Sequence, residues 1–314
     1  MRKSHAFYPK PLYSHSPPSR FYGFIPTLME IMSLSGTLDG NGVIKMKFLL
    51  FGVISVFFGL ALICLTGHEC DAQIKPSSIT GVWLLDDRQG NTAWDSSANR
   101  NHGKFSDSKG IKWVEGKFGG ALEFKGTDYV IIKNTPSLEL NETISIALWT
   151  KINTVGQYPS LIFKGICGKA GYWGLHEMPD TKIIYARIDT TGGINQTSSR
   201  IDNAADGEWH HIVFVFDEGK VVMFRDGKQL PELAYNHGNG FGSKDDLGIG
   251  SGFYPQDPRE LDAVIDEVGI FNIAITSDDV KNIMDNGYKE ALGVSISVDA
   301  YCRLATLWAK LKLQ

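Results

Sequence analysis

Several absences narrow the reading of this 314-residue sequence before any motif is considered. There is no Cys-x-x-Cys and no His-x-x-x-His pair, which removes the usual zinc-ligand spacings. There is no Gly-x-Ser-x-Gly elbow, so the strand–turn–helix nucleophile of the α/β hydrolases is missing. No block of five or more basic residues occurs, and 31 basic residues against 35 acidic ones leave a net charge of −4. That balance argues against nucleic acid and against anionic membrane surfaces as partners. Cysteine is scarce at four; beyond residue 72 only Cys167 and Cys302 remain, either as one bond or as two free thiols. Proline is also scarce at 12, whereas 34 glycines point to many turns and 43% apolar residues suffice for a sizeable core.

The apolar content is unevenly spread. Phe48 to Leu65 is an apolar run broken only by Ser55 and Cys64, with Lys45 and Lys47 before it and Cys70-Asp71-Ala72 after it. A basic start, an apolar middle and small residues at the exit describe a secretory signal over residues 46–72. The competing reading is a membrane anchor, since the run is just long enough to span a bilayer if left uncleaved. Residues 1–45 are rich in Pro, Ser and Tyr, fit no targeting pattern and are read as an unstructured extension upstream of a start at Met46. The expected destination is outside the cell or on its surface. Without residues 1–72 the chain is more acidic still, because Arg2, Lys3, Lys10, Arg20, Lys45 and Lys47 leave together with only four acids.

From Ile79 to Asn272 the hydrophobic period is two. In Thr143–Thr150 the side chains of Ile144, Ile146 and Leu148 share one face, as in a half-buried strand. Glu208–Phe216 becomes apolar on both faces after its histidines, as expected between two layers. Asp217-Glu218-Gly219 and Asp226-Gly227 are tight-turn signals on either side of Lys220–Arg225. With Gly81–Leu85, Ala121–Phe124, Tyr129–Lys133, Ser160–Lys164, Tyr172–His176, Lys182–Ile188, Leu247–Gly250 and Val264–Asn272, this makes about a dozen short strands and no crossover helix. The fold class is therefore all-β, an antiparallel two-sheet sandwich or jelly roll. Helices are expected only at the end. Thr276 and Asp279 form a capping box for a helix that stops at Asn286-Gly287, and 288–314 is a linker leading to a second amphipathic helix over Asp299–Leu313.

Five blocks in this order carry a resemblance. They are Trp83–Asp86 with Asp95–Gly103, then Gly116–Phe124, Thr143–Trp149, Asp206–His211 and Ile265–Asn272. Together they resemble the laminin-G-like, concanavalin A-like jelly-roll domains of bacterial secreted proteins, over roughly Ile79 to Gly287. The corresponding domain boundaries are 74–287. Ala98, where the family usually has glycine, and Arg100 depart from the pattern, both in the first loop.

The resemblance implies a binding module and often a structural calcium ion near the junction of the first and last strands. Asp95, Asn99, Asn101, Asp266 and Glu267 are the oxygen donors in the matching blocks, with Asp95, Asn101 and Asp266 the expected ligand set. The alternative for the same residues is an Asx turn at Asp95 and loop hydrogen bonds at Asp266. His210 and His211 point to opposite faces of one strand and cannot share an ion. Tyr172, Trp173, Phe253 and Tyr254 stand beside glycines and polar groups, the composition of a sugar-stacking surface, and are the expected ligand contacts; the alternative places Trp173 and Phe253 in the core. A glycoside hydrolase of this fold would need paired carboxylates. Glu260-Leu261-Asp262 begins such a strand, but Val264 and Ile265 fill the places of the second glutamate. The expectation is a non-catalytic module for a glycan or an extracellular protein. A structural or adhesion module docking through its C-terminal helix is the alternative, and a hydrolase comes third.

Overall fold

The computed structural model describes residues 74–106, 109–153, 158–178, 181–193, 197–234, 238, 240–250 and 259–293. The signal segment, Phe253, Tyr254, Cys302 and the expected terminal helix lie outside the described residues. In chain order the strands are β1 (Ile79–Trp83), β2 (Thr92–Ala93), β3 (Gly103–Phe105), β4 (Ile111–Glu115), β5 (Gly120–Gly126), β6 (Tyr129–Ile132), β7 (Ile144–Ile152), β8 (Ser160–Lys164) and β9 (Trp173–Glu177). They continue as β10 (Ile184–Ile188), β11 (Thr197–Ile201), β12 (Trp209–Asp217), β13 (Lys220–Arg225), β14 (Lys228–Gln229), β15 (Leu233–Ala234), β16 (Leu247–Gly250) and β17 (Leu261–Phe271). One helix follows, α1 (Ser277–Leu292).

The strands form two antiparallel sheets. The first runs β14-β13-β12-β7-β17-β5-β4, with β1 added on β17 and β15 on β13; the second runs β11-β10-β9-β8-β16-β6-β3-β2. The sandwich expected from the period-two pattern is the fold. The count is higher than a dozen because β2, β3, β14 and β15 are only two or three residues long, too short to show a period.

Alternation places the core. On β7, Ile144, Ile146, Leu148 and Ile152 enter the layer between the sheets, where they meet Trp83, Trp173, Phe214, Phe216 and Ile265. The opposite face of the same sheet is also apolar: Ala147, Val213, Phe224 and Phe271 pack under Val280, Ile283, Tyr288 and Ala291 of α1. The centre of the first sheet is thus covered on both faces, which is why β12 is apolar from Ile212 to Phe216. Trp149 lies on the face away from the inter-sheet layer, and Trp209 is only half-buried, so neither belongs to the inter-sheet core.

The capping box is present, with Thr276 Oγ1 accepting from Asp279 N and the Asp279 carboxylate accepting from Thr276 N. The helix does not end at Asn286-Gly287 as expected. Gly287 adopts φ 69°, kinks the chain, and α1 resumes to a left-handed cap at Gly293. The second segment is retained because Tyr288 is buried, its N–H donating to the Glu267 carboxylate and its hydroxyl donating to Ala147 O at 2.9 Å. Among the described residues no helix is long and apolar enough to cross a membrane.

Candidate functional site

The residues expected to hold calcium serve the backbone instead. Asp95 is buried, and its two carboxylate oxygens accept from Val82 N (2.9 Å), Ser97 N (2.8 Å), Ser97 Oγ (2.8 Å) and Asn101 N (2.7 Å). Asn101 donates to Thr80 O and Ser137 Oγ, and its amide oxygen accepts from Thr135 Oγ1 at 2.8 Å. Asn99 donates to Ile79 O and Thr80 O. The 95–101 loop therefore fastens β1, with Arg100 at φ 53°, a left-handed conformation that glycine adopts without strain.

Asp266 and Glu267 form a bulge in β17 at the point where its edge partner changes from β5 to β1. Asp266 accepts from Phe118 N and Glu267 N. Burial pushes the Asp266 carboxyl up to about 8 and that of Glu267 up to about 7. A calcium ion needs six to eight available oxygens, whereas the Asp95 and Asp266 carboxylates accept from backbone N–H groups and Asn101 Oδ1 accepts from Thr135 Oγ1. Asp95 and Asn101 are joined directly, whereas Asp266 bonds other residues, and among the described residues no three His, Cys, Asp or Glu side chains are placed to hold a metal.

The histidine pair divides as the strand alternation requires. His210 Nδ1 and Nε2 lie 2.8 and 3.1 Å from Asp226 and Asp206 carboxylate oxygens. His211 faces the other way, against Trp149 at 5.3 Å between ring centroids, with both ring nitrogens buried and without a partner. Burial holds its pKa down to about 4.

Of the expected ligand contacts, Trp173 is corrected by the structure. It is 1% exposed and belongs to the inter-sheet core, because residues 173 and 175 of β9 point inward together. Its neighbour Tyr172 and the alternate residue His176 belong instead to an aromatic row on the outer face of the second sheet. Register builds this row: His176 is opposite Tyr185 on β10 and Ser160 on β8, and Tyr185 is opposite Arg200 on β11. Glycine makes room for it, since a Cβ at Gly174 would lie 2.6 Å from His176 Nε2. Tyr172 stacks on His176 (5.6 Å, 16° between planes), His176 lies 5.2 Å from Tyr185, and Tyr185 meets Tyr158 edge-on at 6.3 Å. Guanidinium groups close both ends, Arg187 5.3 Å from the Tyr172 ring and Arg259 5.6 Å from the Tyr158 ring.

This row is rigid at its centre and open at its end. His176 is fully buried between Ser160 Oγ (2.8 Å) and Tyr172 Oη (3.0 Å), and burial, reinforced by Arg187 and Arg259, lowers its pKa to about 3. Burial raises the Tyr185 phenol to about 12, so both rings are neutral at ordinary pH. Asp189 is buried and anchors the arrangement. Its carboxylate accepts from Arg187 Nε and Nη2 and from Gly168 N, which ties the 165–171 loop to β10. At the open end Tyr158 is 43% exposed and adopts φ 55°, a strained conformation for an aromatic residue; elsewhere, on the 165–171 loop, Ile166 is 40% exposed. These are two of the three exposed large hydrophobic side chains among the described residues. Sequence reasoning missed Tyr158, Tyr185, Arg187 and Arg259. The one available signal was the alternation Ile184-Tyr185-Ala186-Arg187-Ile188, which already set Tyr185 and Arg187 on the face away from the core.

Comparison with known proteins is consistent with this architecture. Residues 124–281 match the family described as the concanavalin A-like lectin/glucanases superfamily. No curated protein matches the chain in sequence. Among solved structures, the binding domain of Paraclostridial Mosquitocidal Protein 1 superposes with a TM-score of 0.53 at 12% identity, covering 68% of this chain and 53% of that one. Domain 4 of AbnA, a GH43 extracellular arabinanase from Geobacillus stearothermophilus solved in complex with arabinotriose, gives 0.52 at 20% identity, covering 66% of this chain and 98% of that one. Trypanosoma rangeli sialidase in complex with sialic acid gives 0.52 at 12% identity, covering 70% of this chain but 34% of that one. The chain thus spans about half of the mosquitocidal binding domain and a third of the sialidase. At these identities the likeness is one of fold.

Proposed function

Because the chain belongs to the concanavalin A-like lectin/glucanases superfamily, we propose that it is a non-catalytic binding module that recognises a glycan through the outer face of its second sheet. The observation that carries this reading is the Arg187–Tyr172–His176–Tyr185–Tyr158–Arg259 row, with Tyr158 exposed at its end. An aromatic face held by stacked neighbours packs on the apolar face of a sugar ring, while guanidinium groups beside it donate to hydroxyls. The arabinotriose complex of AbnA domain 4 supports the same use of this fold. Phe253 and Tyr254, on the segment joining β16 to β17, remain proposed contacts.

The carboxylates of the site support binding rather than hydrolysis. Asp189 is committed to Arg187 and Gly168, while Glu260 is exposed before β17 and Asp262 accepts from Asn153 Nδ2 at 3.0 Å. A retaining glycosidase would need two carboxylates about 5 Å apart on one surface, and the proposal assigns none of these acids to that role. Export through residues 46–72 is part of the proposal, and a glycan or protein of the cell exterior is the expected partner.

A glycan array with the full chain, followed by Tyr158→Ala and Trp173→Ala, tests the reading. Tyr158→Ala is expected to weaken sugar binding about tenfold or more at an unchanged melting temperature, as removal of one stacked ring would. Trp173→Ala is expected to lose about 3–5 kcal/mol of stability, the cost of emptying a core site, and to lose binding only together with the fold. Undiminished binding by folded Tyr158→Ala overturns the assignment.

A further inference from the structure

Tyr158 is the exposed ring of the aromatic row, and its backbone is held where a tyrosine does not go unaided. Its φ of 55° is left-handed, a region that disfavours a bulky residue. Pro159 follows it, and a proline pushes the residue before it toward extended backbone, the opposite tendency. Such a conformation persists only where the surroundings over-determine it, and outliers of this kind gather at ligand clamps.

Three contacts hold it. Pro159 O accepts from Glu177 N at 2.9 Å, which fastens the residue after Tyr158 to β9. Tyr185 meets the Tyr158 ring edge-on. The third contact comes from 101 residues away, from Arg259 just before β17: its Nη1 donates to Tyr158 O at 3.0 Å, and its guanidinium carbon lies over the Tyr158 ring, 5.6 Å from the centroid. One side chain thus grips both the strained backbone and the ring it carries. A planar, delocalised fork suits the two tasks together, since one nitrogen donates to a carbonyl while the charge lies over an aromatic face. A lysine ammonium is a point charge on a flexible stem and does not combine them. Any further contact of the Arg259 guanidinium stiffens this brace.

The consequence concerns affinity. An exposed side chain that turns freely must be immobilised when a sugar ring packs on it, and that loss of freedom opposes binding. A ring fixed beforehand escapes the loss. We propose that Arg259 is a positioning residue of the glycan site, acting through Tyr158 by setting its ring in place before the sugar arrives. The inference rests on the glycan-binding reading and adds to it how the contact ring is prepared. A direct hydrogen bond from Arg259 to a sugar hydroxyl is the competing role, and a mutant cycle separates the two.

The full chain, carrying isotope-labelled tyrosine, is first followed by NMR without sugar, the Tyr158 ring signal being assigned by its loss in Tyr158→Phe. In Arg259→Gln and Arg259→Lys that signal is expected to move toward the position of free tyrosine at an unchanged melting temperature, as for a surface substitution. Affinity for the tightest oligosaccharide of the glycan array, with arabinotriose as the fixed reference, is expected to fall about three- to tenfold in both variants. In a Tyr158→Ala background, Arg259→Gln is expected to change it by less than about twofold. A Tyr158 signal unmoved in Arg259→Gln, or full binding by Arg259→Lys, overturns the positioning role whatever the array shows. Equal losses with and without Tyr158 also overturn it and assign Arg259 to direct contact. A blank array and no arabinotriose binding by the folded chain, with the ring signal released in Arg259→Gln, overturn the glycan reading and with it the role of Arg259 in binding.

Discussion

His176 and His211 are both buried and both neutral, and the difference between them lies in their partners. His176 is satisfied on each nitrogen and holds Tyr172 in place, whereas His211 has no partner on either nitrogen and is surrounded by Trp149 and the covered face of the first sheet. A buried imidazole without hydrogen bonds costs its desolvation without return, about 1–3 kcal/mol. His211→Leu is therefore expected to stabilise the fold by about 1 kcal/mol at neutral pH, read as a higher melting temperature. The pH dependence has a definite sign. With a folded pKa of about 4 against about 6.5 when unfolded, His211 contributes stability that is complete above pH 6.5 and is lost as the pH falls toward 4. The Leu variant should show a shallower fall over that window. An equally steep fall, with no gain at pH 7, would mean that His211 finds partners in solution. Alternation had shown that the two adjacent histidines part company, but their burial depends on what covers each face.

At the scale of elements, β17 organises the molecule. Its first half pairs with β5, its second half with β1, and the bulge at Asp266-Glu267 marks the exchange. The carboxylates there accept from Phe118 N and Tyr288 N, which is how one bulge positions both the Gly116–Gly120 turn and the second half of α1. Four of the five sequence blocks meet at this point, through Trp83, Phe118, Trp149 and the bulge itself. The helix start is the most local feature of the fold. Thr276→Ala is expected to cost about 1 kcal/mol, measured as a lower denaturation midpoint. Because Thr276 and Asp279 satisfy each other, the double alanine variant should cost less than the sum of the singles. Strict additivity would show that the two caps act independently. The capping box was legible in the sequence because it spans four residues. The resumption of α1 beyond Gly287 was not, since it depends on Glu267 and Ala147, far away in the chain.

At the scale of the whole molecule, nearly every stabilising pairing joins distant segments. Trp83 is opposite Val268, Trp149 is opposite both His211 and Asp266, and Leu247 lies between Ile132 and Lys164. Chain closure must be accomplished before such contacts form, so refolding from denaturant, followed by tryptophan fluorescence, is expected on the millisecond-to-second scale or slower. Microsecond refolding would contradict the assigned topology.

By itself the sequence determined what short-range physics controls. The period of two dictated strands, the absence of crossover helices dictated antiparallel sheets, and Thr276 with Asp279 dictated a helix start. It also dictated that neighbours such as Tyr172 and Trp173 differ in direction. Only the tertiary structure decided which direction was the core, because both faces of this sandwich carry apolar cover: α1 over one sheet and the tyrosine–histidine row over the other. The same limit applies to Asp95 and Asp266. A carboxylate in a loop is compatible with a cation or with a set of backbone N–H groups, and the choice rests on which amides the remote strands bring to it.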